Sequence, residues 1–179
     1  MVKIFIVNGL PGAGKDEFCS LVHYYARTKT QGTSSKWMCD IISTINPYKN
    51  VLYKLGWDGQ KTPEIRKLLS DMKFILPIAT MDYIRTEVNE LTMRYPNCII
   101  FIMAREPKNI EEIKNMFNGD DRISTHTVFI DAKDRINPII SNEADAGVYD
   151  YEYDLIIDNN FDLYFLQVQA QNFVERECV

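Results

Sequence analysis

The sequence predicts an α/β protein with three layers, in which a mainly parallel five-stranded sheet is covered by helices on both faces. Short apolar segments alternate with longer segments of helical periodicity from the first residues onward. The most apolar segment, residues 98–103, is continuous rather than alternating, as expected for a parallel strand buried on both faces. In such sheets, ligands bind at the carboxyl ends of the strands, so candidate site residues are sought there.

Composition limits the classes of function. The chain has 179 residues and 46% hydrophobic content, enough for one substantial core, so we expect a single domain over residues 1–179. A net charge of −5 without a basic run argues against a nucleic acid polymer as partner. There is no leader and no apolar stretch of about eighteen residues, so we expect no membrane association and a cytoplasmic location. The four cysteines are widely spaced, which favours reduced thiols over a zinc site.

A glycine-rich stretch follows the first predicted strand, residues 2–7. Gly9, Gly14 and Lys15 have the spacing of a phosphate-binding loop (P-loop), in which backbone N–H groups surround phosphate oxygens and the lysine reaches the terminal phosphates. Apolar residues at helical spacing come next, so the positive end of a helix faces the same anion. An ordinary strand-to-helix turn is the alternative, but the order of strand, loop and helix favours nucleotide binding. The predicted ATP-binding residues are Gly9, Leu10, Pro11, Gly12, Ala13, Gly14, Lys15, Asp16 and Glu17.

Asp16 occupies the position at which such loops usually carry a serine or threonine hydroxyl that binds Mg²⁺. A carboxylate is also a hard oxygen ligand, able to bind the ion directly or through water. The alternative is that Asp16 only complements the positive end of the helix dipole. Many phosphate-loop enzymes have a metal-binding aspartate at the end of a neighbouring strand, where this chain has Met103 and Ala104. Asp16 is therefore the predicted Mg²⁺ ligand.

The other elements follow from periodicity and from turn residues. A loop is predicted at residues 28–35. Strands are predicted at residues 36–41, 98–103, 127–130 and 154–158. Helices are predicted from residue 43 to residue 55, from Pro63 onward, and at residues 81–95, 109–117 and 161–174.

Two segments stand apart from the alternation. Residues 43–95 form a helical insert, in which Ile65, Leu68, Leu69 and Met72 are predicted to face the core and Arg66, Lys67 and Lys73 the opposite surface. Residues 131–151 are polar and too long for an ordinary connection, so they are interpreted as a lid. Asp40 is placed near the carboxyl end of the second strand.

These motifs resemble the nucleoside-monophosphate-kinase branch of the phosphate-loop kinases. The nearest likeness is to bacteriophage-type deoxynucleoside monophosphate kinases and animal phosphomevalonate kinases, and a more distant one is to dephospho-coenzyme A kinases. The residues that carry it are Gly14-Lys15-Asp16, the segments 43–49 and 56–67, and the segments 142–147 and 154–160.

The resemblance implies an ATP-dependent phosphotransferase that acts on a small phosphomonoester, in the first place a nucleoside or deoxynucleoside monophosphate. A kinase of a non-nucleotide phosphomonoester and a nucleotide-binding module without turnover are the alternatives. A homodimer is one of the assemblies that the resemblance allows. By the same resemblance, the catalytic residues are Lys15, Arg105 and Arg135, the acceptor-binding residues are Asp40, Arg66, Lys73 and Arg105, and the lid cations are Lys133 and Arg135.

Overall fold

The sheet is five-stranded and entirely parallel, with the order β2-β3-β1-β4-β5. The structure is a computed structural model that describes residues 1–32, 36–60, 62–136 and 147–178. The strands are β1 (Val2–Asn8), β2 (Met38–Ser43), β3 (Cys98–Met103), β4 (Ile123–Asp131) and β5 (Leu155–Asp158). The helices are α1 (Lys15–Lys29), α2 (Asn46–Lys54), α3 (Pro63–Ile75), α4 (Pro77–Arg94), α5 (Pro107–Phe117) and α6 (Leu163–Glu177), with a 3₁₀ turn at Gly147–Tyr149. The predicted α/β class is confirmed.

The central strand β1 sends side chains alternately to two hydrophobic layers. Phe5 packs on one face, where its ring centroid lies 4.8 Å from that of Phe173 in α6. Ile4 and Ile6 point to the other face and pack with residues of α4 and α5, including Ile84. Because successive side chains of a strand point to opposite faces, helices on both sides are needed to bury this apolar run. The three-layer prediction therefore agrees with the packing.

Helices α2, α3 and α4 share a smaller cluster of their own. Tyr48, Leu52 and Leu69 are its buried members. The Tyr48 hydroxyl lies 2.6 Å from the Leu76 carbonyl oxygen, to which it donates, and 2.9 Å from the Thr80 hydroxyl. These bonds satisfy a buried phenol and fix the junction between α3 and α4.

Several predicted bounds are wrong because pairing between strands decides where a strand ends. β2 lies later than residues 36–41, since it pairs with β3 from Met38 opposite Cys98 to Ser43 opposite Met103. The helix expected from residue 43 accordingly begins at Asn46. β4 extends well beyond residues 127–130 because it follows β1 along its whole length.

Helix termini differ as well. α1 continues through Lys29 into the predicted loop, where the Thr28 and Thr30 hydroxyls donate to carbonyls one turn earlier in the helix. α4 begins at Pro77 rather than residue 81, and α5 at Pro107 rather than residue 109, because proline fits the first turn of a helix. β5 and α6 both begin slightly later than predicted.

One predicted core position is exposed. Leu68, expected to face the core, is 43% exposed, whereas its neighbour Leu69 is buried in the cluster shared with α2 and α4.

All four cysteines are free and buried, and burial raises the pKa of the Cys19 and Cys39 thiols well above the usual value. No helix within the described ranges has both the length and the apolarity needed to cross a membrane.

Candidate phosphate-binding site

The glycine loop connects β1 to α1 at the carboxyl edge of the sheet. Gly12 and Gly14 have φ values of 79° and 89°, in the left-handed region that side chains disfavour. A Cβ atom at Gly9 would lie 2.7 Å from the carbonyl oxygen of Ile130 in the neighbouring strand β4. Glycine is therefore required at these positions by the backbone shape and by close packing.

The Lys15 side chain folds back over this loop. Its ammonium donates to the carbonyl oxygens of Gly9 and Leu10, at 2.6 and 2.9 Å. Lys15 also opens α1, and Gly14 caps that helix, so the positive helix end and the ammonium meet at the same place. Backbone N–H groups, a helix N-terminus and a fixed ammonium together form an environment suited to a multiply charged anion.

Asn8 joins the loop to the segment after β3 and to the segment before β5. Its side chain is fully buried, its Oδ1 accepts from the Gly9 N–H at 2.8 Å, and its Nδ2 donates to the Arg105 carbonyl at 2.9 Å. The same amide donates to the Tyr153 hydroxyl at 2.7 Å. Asn8 thus brings the main chain of the predicted catalytic residue Arg105 next to the loop.

The Tyr153 hydroxyl extends this network as a hydrogen-bond donor. Burial raises the pKa of its phenol to about 12, although the hydrogen bond from Asn8 acts in the opposite direction. The neutral hydroxyl donates to the Val148 carbonyl at 2.9 Å. The sequence pattern does not predict either Asn8 or Tyr153 as a site residue; the one available signal is a polar side chain directly between a buried strand and the glycine loop.

Arg135 reaches the loop from the segment after β4. Its Nε donates to the Asn159 carbonyl at 2.9 Å, and its Nη2 lies 3.4 Å from the Gly12 carbonyl. The Lys133 ammonium is 3.9 Å from the carboxylate of Asp131, the last residue of β4. The structure therefore brings Arg135 to the loop. Residues 137–146 of the predicted lid lie outside the described part of the chain, and the lid remains a prediction.

A cavity of about 180 Å³ lies beside the loop. It is smaller than the roughly 300 Å³ at which pockets for drug-sized ligands begin, so it fits one ring system better than a whole nucleotide. The lining combines the loop and three polar side chains with an apolar wall from residues at and just before the start of α6. Its residues are Gly12, Gly14, Glu17, Arg135, Asn159, Phe161, Leu163 and Leu166.

Lys73, one of the predicted acceptor-binding residues, contacts Glu106, the residue that follows Arg105. Lys73 was expected on the surface opposite the core, but its side chain is only 17% exposed and its ammonium lies 2.7 Å from the carboxylate of Glu106. Glu106 also accepts from the Asn109 amide at 3.0 Å. An ion pair thus joins α3 to the carboxyl end of β3, and the predicted orientation of Lys73 is corrected.

The other predicted acceptor residues lie farther away. Arg66 is exposed near the start of α3, about 10 Å along the helix from Lys73. Asp40 stands in the middle of β2, opposite Ile100, and not near the carboxyl end as predicted. At about 3.3 Å per residue, it lies roughly 10 Å before that end. The structure does not bring Asp40 to the edge that carries the loop.

No family model and no curated protein sequence matches the chain. Among solved structures, the APS kinase CysC of Mycobacterium tuberculosis in complex with AMPPNP and APS is similar, with a TM-score of 0.50 and 14% identity, over 97% of this chain and 95% of that chain. A cysteine-to-alanine mutant of the same enzyme gives a TM-score of 0.48 and 15% identity, over 97% of this chain and 94% of that chain. The chain shares the three-layer α/β fold of this APS kinase structure.

Within this fold, the acids nearest the loop are Asp16 and Glu17, both exposed in the first turn of α1. In the described ranges, no three His, Cys, Asp or Glu side chains come together as a metal site. Mg²⁺ usually keeps several waters and is held by one or two carboxylates together with substrate phosphates. The donor set therefore fits Mg²⁺ that arrives with a nucleotide, and the metal-binding role of Asp16 remains a prediction.

Proposed function

We propose that the protein is an ATP-dependent phosphotransferase that acts on a small phosphomonoester, in the first place a nucleoside or deoxynucleoside monophosphate. One observation carries the proposal: the Lys15 ammonium is held over a loop with left-handed glycines, at the N-terminus of α1. The fold also occurs in an APS kinase whose structure contains AMPPNP and APS, so it accommodates a nucleotide together with a small second ligand.

ATP would lie with its phosphates on the loop and its base in the neighbouring cavity. The loop residues Gly9 to Lys15 supply backbone donors and one ammonium for the phosphates. The cavity offers the ring of Phe161, which favours contact with a flat base. The predicted ATP-binding set thus gains Arg135, Asn159 and Phe161.

Phosphoryl transfer requires positioning and charge neutralisation more than covalent chemistry by the protein. An acceptor phosphate oxygen forms a bond to the γ-phosphorus while the bond from that phosphorus to the bridging oxygen breaks, and ADP leaves. Lys15 would neutralise the terminal phosphate, and Arg105 would meet the acceptor or the transferring group. Asp16 would hold Mg²⁺, which would supply charge neutralisation for the nucleotide phosphates.

The acceptor would bind between the sheet edge and the helices α2, α3 and α4. The ion pair with Glu106 holds Lys73 at this edge, and the hydrogen bond from Asn8 holds the main chain of Arg105 there. Arg66 lies farther away, near the start of α3. Lys133 and Arg135 are proposed to close over the phosphates from the segment 131–151. Asp40 is the weakest member of the proposed set because of its place in the middle of β2.

An assay of ADP release tests the proposal. The parent protein is incubated with ATP and Mg²⁺ and offered nucleoside monophosphates, deoxynucleoside monophosphates, phosphomevalonate and dephospho-coenzyme A in turn. We expect acceptor-dependent ADP release with at least one nucleotide and none with Lys15→Ala. Release only with phosphomevalonate or dephospho-coenzyme A would replace the nucleotide acceptor, and ATP binding without release for any acceptor would indicate a binding module.

A further inference from the structure

Asn159 follows β5 directly and is fixed independently of the glycine loop. Its N–H donates to the Asp131 carbonyl at 2.6 Å, and its own carbonyl accepts from Arg135 Nε at 2.9 Å. The side chain is buried, with 5% of the residue exposed. The position of its amide is therefore set by the ends of β4 and β5, which belong to the rigid sheet.

That amide holds one carbonyl of the loop. Asn159 Nδ2 donates to the Ala13 carbonyl oxygen at 2.8 Å. A peptide group is planar and, throughout the described residues, trans. The Ala13 carbonyl and the Gly14 N–H therefore point to opposite sides of the same plane. Because Asn159 holds the Ala13 carbonyl toward itself, the Gly14 N–H points away from Asn159. That is the side on which such a loop binds an anion.

The packing at Gly14 leaves little freedom for this arrangement to change. A Cβ atom on Gly14 would lie 2.4 Å from Asn159 Nδ2 and 3.7 Å from Arg135 Nη2. The amide thus lies directly against the glycine whose left-handed backbone completes the turn into α1. The Arg135 guanidinium likewise donates to a loop carbonyl, that of Gly12, one residue before Ala13.

We propose that Asn159 is a positioning residue for the phosphate loop: it fixes the plane of the Ala13–Gly14 peptide and so aims the Gly14 N–H at a phosphate oxygen. This inference rests on the proposed function, since it needs an anion on the loop. It requires no contact between Asn159 and the phosphate. Its consequence is that loss of the amide weakens phosphate binding while the sheet and the base cavity remain.

The experiment compares Asn159→Leu, which keeps a similar shape without a donor, with Asn159→Ser, which keeps a shorter donor. Asn89→Ala, at an exposed position of α4, is the matched control. Affinities for inorganic tripolyphosphate and for adenosine are measured by calorimetric titration, together with the thermal midpoint. We expect roughly ten-fold weaker tripolyphosphate binding in Asn159→Leu, corresponding to about one lost hydrogen bond to a charged group. Asn159→Ser should lose less, and in both variants adenosine affinity should change less than tripolyphosphate affinity.

Parental tripolyphosphate affinity in a folded Asn159→Leu or Asn159→Ser would overturn the assignment. So would a loss of adenosine affinity with tripolyphosphate affinity unchanged, because Asn159 would then act on the base. These measurements need no turnover. The two proposals can fail separately. If tripolyphosphate affinity depends on Asn159 but the parent protein transfers no phosphoryl group, the proposed kinase reaction is overturned and the role of Asn159 stands.

Discussion

The Lys73 ammonium lies 2.7 Å from a carboxylate oxygen of Glu106, and this ion pair joins helix α3 to the turn that follows β3. Arg105 is the preceding residue, and its carbonyl is held by Asn8 at the end of β1. The ion pair therefore fixes a helix of the insert at the edge of the sheet where the acceptor is proposed to bind. An acceptor phosphate would have to compete with Glu106 for Lys73.

The first prediction concerns the contribution of this pair to stability. Burial alone would raise the pKa of the Glu106 carboxyl, but Lys73 and the hydrogen bonds from Lys73, Asn109 and the backbone hold the pKa below its usual value. Because the pKa is lower in the folded state, the ionised carboxyl stabilises the fold above the unfolded-state pKa of about 4.3. That contribution is lost as the pH falls through the folded-state pKa.

Glu106→Gln should therefore lower the free energy of unfolding at pH 7 by roughly 1 kcal/mol, a small value because the pair is partly exposed to solvent. Urea unfolding at a series of pH values measures this, and the difference from the parent should shrink as the pH is lowered below about 4. Glu90→Gln, at an exposed site on α4, is the control. A difference that is independent of pH would show that the carboxylate charge is not responsible.

The second prediction is that Lys15→Ala abolishes ATP-dependent turnover while the protein remains folded. The ammonium donates to carbonyls of the loop and is half-buried, so its removal takes little from the core. Loss of one preorganised donor at a developing charge costs roughly a hundred-fold or more in turnover rate. Turnover and thermal midpoint are measured together, with Lys54→Ala in α2 as the control. Turnover within a few-fold of the parent would remove Lys15 from the mechanism.

The parts of the site that depend on local spacing were predictable from sequence. Strand β1, the glycine loop and the start of α1 are contiguous in the chain, so their order alone indicates the loop. Strand β3 is confirmed at residues 98–103 because an apolar run buried on both faces is visible without its neighbours. The fold class follows from the same alternation of strands and helices.

The remaining parts depend on partners that are distant in sequence. Asn8 acts through residues 97 and 145 positions away, and Asn159 through a residue 146 positions away. No periodicity in the chain marks such contacts. The position of Asp40 was predicted wrongly for a related reason. The end of β2 is set by its register with β3, and that register cannot be inferred from residues 36–41 alone.

The third prediction concerns the metal. If the Asp16 carboxylate holds Mg²⁺, Asp16→Ala should raise the Mg²⁺ concentration required for half-maximal activity, and Asp16→Ser should recover part of the loss because a hydroxyl is also a hard oxygen ligand. Glu90→Ala, which removes a carboxylate at an exposed position of α4, is the control. Mg²⁺ titrations of turnover in the variants measure the effect. Curves identical to that of the parent would leave Asp16 with the role of complementing the helix dipole.

The last prediction tests whether the cavity beside the loop binds the base. Phe161 lines it and is 58% exposed, so its ring is available to a ligand. Stacking of a base on an aromatic side chain is worth about 1–3 kcal/mol, which corresponds to a loss of roughly five-fold to a hundred-fold in affinity. Phe161→Ala should therefore weaken the binding of both ATP and adenosine, whereas the affinity for inorganic tripolyphosphate should be unchanged because the loop remains intact.

Tyr164 provides the control, since it is aromatic, is 72% exposed and lies three residues after Phe161, in the first turn of α6, but outside the cavity lining. Tyr164→Ala should bind all three ligands with parental affinity. Calorimetric titrations of the two variants are compared directly. If Tyr164→Ala loses as much adenosine affinity as Phe161→Ala, the effect comes from the start of α6 as a whole. If neither variant changes adenosine affinity, the base is bound outside this cavity.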